Sequence, residues 1–292
     1  MQPESDPPTL DSIRFSSAAV TIGGFRCPLH HPRFFDTGPI ERQIVVFPRV
    51  AVEIAHEGCR PFVADACTAT IYNRGQRYRR RALQPSGDRC DWFAVAPEIA
   101  LELARRADPA AEASPAAPYR FARAPIPPPL YLRQRTLFER LASPELDPLE
   151  VEEEAIGIVE AALAAAAKHE DRVPRRTPSA RRDPRQRDSA RELAERAAER
   201  LGDRLEAPLS LAELARGLGV SAPHLCRSFR AARGSTLHRH RTELRLRAAL
   251  ETLRSTRLEL TEIALAHGFS SHSHFTNAFR RSFGVAPSRA RR

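Results

Sequence analysis

Two stretches in the last third of the chain copy one another, and this repetition narrows the possible folds more than any other property of the sequence. Leu211-Ala-Glu213-Leu214-Ala215-x3-Gly219 returns as Leu260-Thr-Glu262-Ile263-Ala264-x3-Gly268, displaced by 49 residues. Beyond the glycine, Leu225-x3-Phe229-Arg230-x3-Gly234 returns as Phe275-x3-Phe279-Arg280-x3-Gly284, displaced by 50, so the second copy has one extra residue in its turn. Each copy has the pattern of a helix-turn-helix. In the first, Ser210 caps a short helix with Leu211, Leu214 and Leu218 on one face. Gly219 lets the chain leave that helix, Val220 fills the angle, and Ser221 caps a second helix. Leu225, Phe229 and Ala232 turn inward; Ala222, Pro223, Cys226, Arg227 and Arg230 turn outward. In the second copy Leu260, Ile263 and Ala264 form the inner face, Gly268 and Phe269 the corner, and Ser270 or Ser271 the cap. Phe275, Phe279 and Phe283 turn inward, while His272, Ser273, Thr276, Asn277 and Arg280 turn outward. Small polar, amide and guanidinium groups of this kind suit base edges and phosphates.

Between the copies, Thr236 to Arg254 reads as one helix with Leu246, Ala249, Leu250 and Leu253 on its inner side. Nineteen residues make a rod of about 28 Å, close to the ~34 Å of one DNA turn. Such a rod can hold two similar helices for successive major grooves. Charge points the same way. Lys168 is the sole lysine, so the arginine excess reflects general codon or genome bias as readily as a partner. Its distribution is more telling: residues 1–170 hold 20 basic and 23 acidic side chains, and residues 171–292 hold 26 basic and 13 acidic. A net +13 half beside a net −3 half directs a polyanion to the second half alone.

Glu262-Ile-Ala-x3-Gly268-Phe269-x5-Phe275-x3-Phe279-Arg280-x3-Gly284-x2-Pro287 resembles the DNA-binding signature of the AraC/XylS family of bacterial transcription regulators. The resemblance covers about residues 189–292. It implies two helix-turn-helix units joined by a linker helix, binding double-stranded promoter DNA. It also implies base reading by Pro223, Cys226 and Arg227 in the first unit and by His272, Ser273, Thr276 and Asn277 in the second. Arg230, Ser271, Arg280 and Arg281 complete the candidate DNA-facing set. The chain departs from the family with His240 and Arg241 on the linker helix, where an aromatic and an aliphatic residue are frequent. Asn277 stands where Arg is frequent, and an amide there favours adenine over guanine.

The first half is β-rich over residues 13–95. Gln43–Phe47, Ala51–Ala55, Thr68–Tyr72 and Asp91–Val95 read as strands, with turns at Asn73-Arg74-Gly75 and Pro85-Ser86-Gly87-Asp88. Short strands at this spacing suggest a sandwich or small barrel. A helix follows from Pro97 to about Arg106, then an Ala/Pro-rich loop over 107–129, in which Pro127-Pro128-Pro129 excludes helix. Helices are expected near 130–142 and 147–168, the latter with Asp147 as cap and an apolar face of Val151, Ala155, Ile158, Val159 and Leu163. That face fits packing on the β domain and a dimer seam equally well. Asp171–Asp188 reads as a solvated, extended linker. The expected architecture is α+β and multidomain. It comprises a β-rich regulatory domain (1–125) that resembles the cupin-like jelly-roll domain of the family, a helical pair (126–170), a linker (171–188) and an all-α DNA-binding domain (189–292). The resemblance implies an effector-responsive activator whose partners are promoter DNA, RNA polymerase, a small-molecule effector and a second copy of the chain.

Other chemistry is weaker. Cys27-x2-His30-His31, with Cys59, Cys67 and Cys90, could feed a metal- or thiol-sensing regulator, but buried free cysteines explain them more simply. On a strand His30 and His31 would point to opposite faces. His238-x-His240 and His272-x-His274 are two apart on helices and do not face each other; solvated or phosphate-facing roles suit them. Residues 1–170 contain no His-x-His pair, which the metal-binding cupin pattern requires. A cupin-like or alkyl-accepting enzyme fused to a DNA-binding module therefore ranks below a non-enzymatic regulator without cofactor or metal. Arg77, Arg79 and Arg81 would share a strand face, more simply a solvated edge than an anion site. A hydrophobic content of 42% excludes wholesale disorder. The first residues lack a basic segment before an apolar run, and the longest apolar stretch, Ala155–Ala167, is broken by Glu160. A cytoplasmic protein without membrane contact is expected.

Overall fold

The computed structural model describes residues 10–36, 38–143, 145–172 and 184–291. The first half is a two-sheet sandwich with helices on one side. Its strands are β1 (Asp11–Ser16), β2 (Val20–Cys27), β3 (Ile44–Pro48), β4 (Val52–His56), β5 (Phe62–Ala64), β6 (Thr68–Tyr72), β7 (Tyr78–Ala82), β8 (Asp88–Val95) and β9 (Arg123–Pro125). Among the described residues, six form one sheet in the order β1-β2-β8-β3-β6-β9, and three form the other, β5-β4-β7. The pairings are antiparallel, with Gly23 opposite Trp92 and Val45 opposite Phe93.

Inward of the exposed edge strand β1, the large sheet is buried on both faces, which explains why its strands read as apolar runs rather than clean alternations. One face carries Val20, Ile22, Val45, Phe47, Ile71 and Phe93 into a core shared with helices. The other carries Val46, Tyr72, Cys90, Trp92 and Ala94 against Val52, Ile54 and Phe62 of the small sheet. Strand β8 thus serves two compartments with alternate side chains. Its register is pinned by Gly23: a Cβ there would stand 2.3 Å from the Trp92 ring.

Helices α1 (Pro97–Ala107), α2 (Pro128–Arg140) and α3 (Pro148–Arg172) cover the large sheet. Helix α2 begins at Pro128, so the expectation that the three prolines exclude helix is corrected. Prolines at the first helical positions lack only N–H groups that would have no intrahelical partner anyway. The expected loop over 107–129 also contains a 3-10 turn at Pro109–Ala113 and strand β9, held by pairing with β6 rather than by local propensity. The apolar stripe of α3 is buried within the chain: Val151, Ala155, Ile158, Val159 and Leu163 are all at most 1% exposed. Arg77, Arg79 and Arg81 are exposed at the edge of the small sheet, while Arg80 points inward to Asp88 at 2.9 Å.

Residues 171–188 are not extended throughout. Helix α3 runs to Arg172 and α4 (Pro184–Asp203) has begun by Pro184; the rest of the expected linker lies outside the described residues. The remaining helices are α5 (Leu211–Gly217), α6 (Ala222–Arg233), α7 (Leu237–Ser255), α8 (Leu260–Ala266), α9 (His272–Phe283) and α10 (Pro287–Ala290). No helix among the described residues is long and apolar enough to cross a membrane.

Candidate nucleic-acid interface

Both copies of the repeat fold as helix-turn-helix units through the same local chemistry. The Ser210 hydroxyl accepts from the Glu213 amide at 3.1 Å while the Glu213 carboxylate accepts from the Ser210 amide at 2.8 Å, closing a capping box at α5. At α8 the Glu262 carboxylate likewise accepts from the Glu259 amide, at 2.9 Å. The corners are Gly219 and Gly268, at φ +70° and +73°. Ser221 caps α6, and Ser271 rather than Ser270 caps α9, its hydroxyl accepting from the His274 amide at 3.1 Å. Gly234 and Gly284 end those helices in the left-handed conformation.

The inward set is buried: Leu225, Phe229, Phe275 and Phe279 are fully enclosed, with Ala232 and Phe283 beside them. Leu211 is an exception. It is 43% exposed, and Leu214, Ala215 and Leu218 supply the inner face of α5 instead. On α6, Pro223, Cys226, Arg227 and Arg230 are exposed and Ala222 is half-buried. On and beside α9, Ser271, His272, Ser273, Asn277, Arg280 and Arg281 are exposed. Thr276 is half-buried, its hydroxyl 3.3 Å from His272 Nε2. Each unit therefore presents a polar helical face to solvent. The rod between them is α7, capped by Thr236, with Leu246, Ala249, Leu250 and Leu253 fully buried.

The structure corrects the reading of His240 as a solvated or phosphate-facing group. It is 3% exposed, edge-on to Phe229, with Nε2 3.0 Å from Asp65 Oδ2 in the β5–β6 turn. His240 opens a polar stripe on α7 that meets the sandwich along the length of the rod. Arg247 donates to Cys67 Sγ at 2.7 Å and to the Ile126 carbonyl at 2.5 Å. Glu251 accepts from Arg135 at 2.8 Å and Tyr131 at 3.0 Å, and pairs with Arg49. Arg135 also donates to Asp91 of β8 at 2.7 Å. Arg254 donates to Thr136 at 2.8 Å. Spacings of 7, 4 and 3 place these residues on one side of a helix. The stripe was present in the sequence, but nothing there distinguished it from a solvated face.

Asp65, Cys67 and His240 bring three ligand-type atoms within 4.8 Å of one another. Each already has protein partners. Asp65 accepts from the Cys67 amide and meets His240 and Arg233, and the Cys67 sulfur accepts from Arg247. Burial alone would raise the Asp65 pKa, but His240 and Arg233 hold its carboxyl well below the usual range. Burial pushes the Cys67 thiol up. Two guanidinium groups beside these donors oppose a dication, and the cluster serves as an ion-paired seam between the halves. Cys27, Cys67 and Cys90 are buried free thiols as expected, whereas Cys59 is exposed. His30 and His31 follow β2 in a turn, not on a strand.

A helix-turn-helix domain family matches residues 214–292. The regulator GlxA of Rhizobium meliloti is 46% identical over 88 residues, 30% of this chain and 27% of GlxA. The regulator ArgR of Pseudomonas aeruginosa is 37% identical over 83 residues, 28% of this chain and 25% of its own length. The similarity thus spans about a quarter of these larger relatives. A probable transcription factor of Proteus vulgaris, PqrA, is 32% identical over 83 residues, which make up 68% of that protein. Among solved structures, a Chromobacterium violaceum transcriptional regulator with an AraC-type DNA-binding domain is 32% identical, with a TM-score of 0.34. It covers 36% of this chain and 93% of that one. With two capped helix-turn-helix units on one rod and a relative matched over two thirds of its length, the chain belongs to the AraC-type family of helix-turn-helix transcriptional regulators.

Proposed function

We propose that the protein is an effector-responsive activator that inserts α6 and α9 into successive major grooves on one side of promoter DNA. The observation that carries this reading is the pair of matched, capped helices with exposed polar faces, α6 preceding and α9 following one rod with a buried apolar side. In this reading Arg227 reads guanine and Asn277 reads adenine, while Arg230, Arg280 and Arg281 hold phosphates. RNA polymerase is the protein partner of activation. The apolar stripe of α3 is consumed within the chain, so a second copy would dock elsewhere.

The effector site in this proposal is a cavity of about 630 Å³ between the two sheets, of the size usual for small-molecule sites. Phe25, Ile44, Val52, Tyr72, Tyr78 and Trp92 wall it, and its charged lining is mixed, with Asp11, Glu41 and Asp88 beside Arg33 and Arg42. Two strand positions support a link from cavity to rod. Ala64 lines the cavity and Asp65 meets His240; Cys90 and Trp92 line it and Asp91 reaches Glu251 through Arg135.

Selection from random duplexes tests the DNA reading. Arg227→Ala and Asn277→Ala should each weaken the selected site by ~1–3 kcal/mol and relax one base position. Arg280→Ala should weaken all sequences alike and reduce the salt slope by about 1. Affinities and base preferences unchanged by Arg227→Ala and Asn277→Ala would reject the assignment.

A further inference from the structure

The two reading units share a rod but pack on it through separate apolar contacts. The first unit has its own core, built from Leu193, Leu201, Leu214, Leu225 and Phe229. The second belongs to the core that runs through Leu246, Leu250 and Leu253 of the rod. The hydrophobic effect itself is not directional; a hydrogen-bonded contact between the units adds a geometric constraint to the packing that holds each of them on the rod.

Arg245, midway along α7, is placed to make such a contact. Its Nε donates to the Leu205 carbonyl at 2.6 Å and its Nη2 to the Glu206 carbonyl at 3.3 Å. Both carbonyls lie in the loop that leaves α4 and leads to Ser210, the cap of the first unit. Its Nη1 donates to the Gly268 carbonyl at 3.0 Å, in the corner of the second unit. One planar guanidinium therefore joins a loop of the first unit, the rod and the turn of the second. Only a rigid fork of donors spans such a set; an ammonium does not. The second unit's corner is shaped for it. A Cβ on residue 268 would lie 2.7 Å from Arg245 Nη2 and 3.0 Å from the Glu206 carbonyl. The absent side chain thus admits both the guanidinium and the first unit's loop. Arg241, one turn earlier, donates to the Arg204 and Ala207 carbonyls of the same loop but does not reach the second unit.

We propose that Arg245 is the positioning residue that sets the separation and rotation of the two recognition helices, and thereby the spacing between half-sites that the protein accepts. It touches no base in this scheme and acts through the two units that it ties together. The inference rests on the proposed reading of one DNA by both helices.

The test uses the full chain. Wild-type protein selects its site from random duplexes, and binding is then measured on that site, on each half alone, and on versions with one or two base pairs inserted between the halves. For wild type, insertion should cost on the order of 100-fold, as simultaneous engagement is lost. Arg245→Leu should bind each isolated half as wild type does, yet lose less than about tenfold on insertion, because a loosened pair of units adapts to the new spacing. If circular dichroism shows that Arg245→Leu is unfolded, Arg245→Gln, which keeps one amide donor, is read in the same way. A variant that keeps the wild-type spacing penalty overturns the role of Arg245 alone. A wild type that selects a single undivided half-site, indifferent to insertion, overturns the two-helix reading and this inference with it.

Discussion

His56 shows how one buried side chain can give the sandwich a pH dependence. It is enclosed between Phe62 and Tyr72, its Nδ1 2.8 Å from Gln76 Nε2 and its Nε2 buried without a partner among the described groups. Burial lowers its pKa from 6.5 to about 4. The unfolded chain therefore takes up a proton at this residue before the folded one does. Stability is complete above about pH 6.5 and falls as the pH drops toward 4, with a loss of roughly 2 kcal/mol at pH 5. Urea denaturation at pH 7.5 and pH 5 should show this loss, and His56→Phe should remove it. A second residue-scale expectation concerns Gly23. Its replacement by Ala drives a methyl into the Trp92 ring, whose indole N–H donates to Asp11 at 2.9 Å. Gly23→Ala should cost ~1–3 kcal/mol of stability by overpacking. Because Trp92 is the only tryptophan, its fluorescence should shift in the folded variant; an unchanged spectrum and melting curve would contradict the packing argument.

At the scale of elements, the repeat was legible because its information is local. Serine caps, corner glycines and inward residues at spacings of three and four act within a dozen residues, so the units form as expected from their order in the chain. Ser210 illustrates the energy involved: Ser210→Ala opens the capping box of α5 and should cost about 1 kcal/mol, measurable by thermal melting. A melting curve identical to wild type would show that packing alone holds α5. The first half was legible only in part. Strands β3, β4, β6 and β8 announced themselves as apolar or alternating runs, whereas β5 and β9 are three residues long and exist only through their partners. The start of α2 at Pro128 was misread because a proline run signals a break, although the first turn of a helix tolerates it.

At the scale of the whole molecule, the seam between sandwich and rod carries buried charges whose partners lie more than a hundred residues away. Glu251 pairs with both Arg49 and Arg135, which also share Asp91. Glu251→Ala removes one carboxylate from this network, together with its charge-assisted hydrogen bonds, and should destabilise the docked arrangement by ~1–3 kcal/mol. Chemical denaturation should then separate into two transitions, the halves unfolding independently; a single transition at the wild-type midpoint would refute this. The DNA-facing residues other than half-buried Thr276 remain exposed while the sandwich is docked, so the seam does not mask them. The chain's order of residues was enough to specify two capped helical units, the rod between them and a β-rich first half, since caps, periodicity and turns act over short distances. It could not say that His240, Arg247 and Glu251 face a second domain instead of water or phosphate. A charged stripe on a helix looks the same with either neighbour, and folding alone chooses the neighbour.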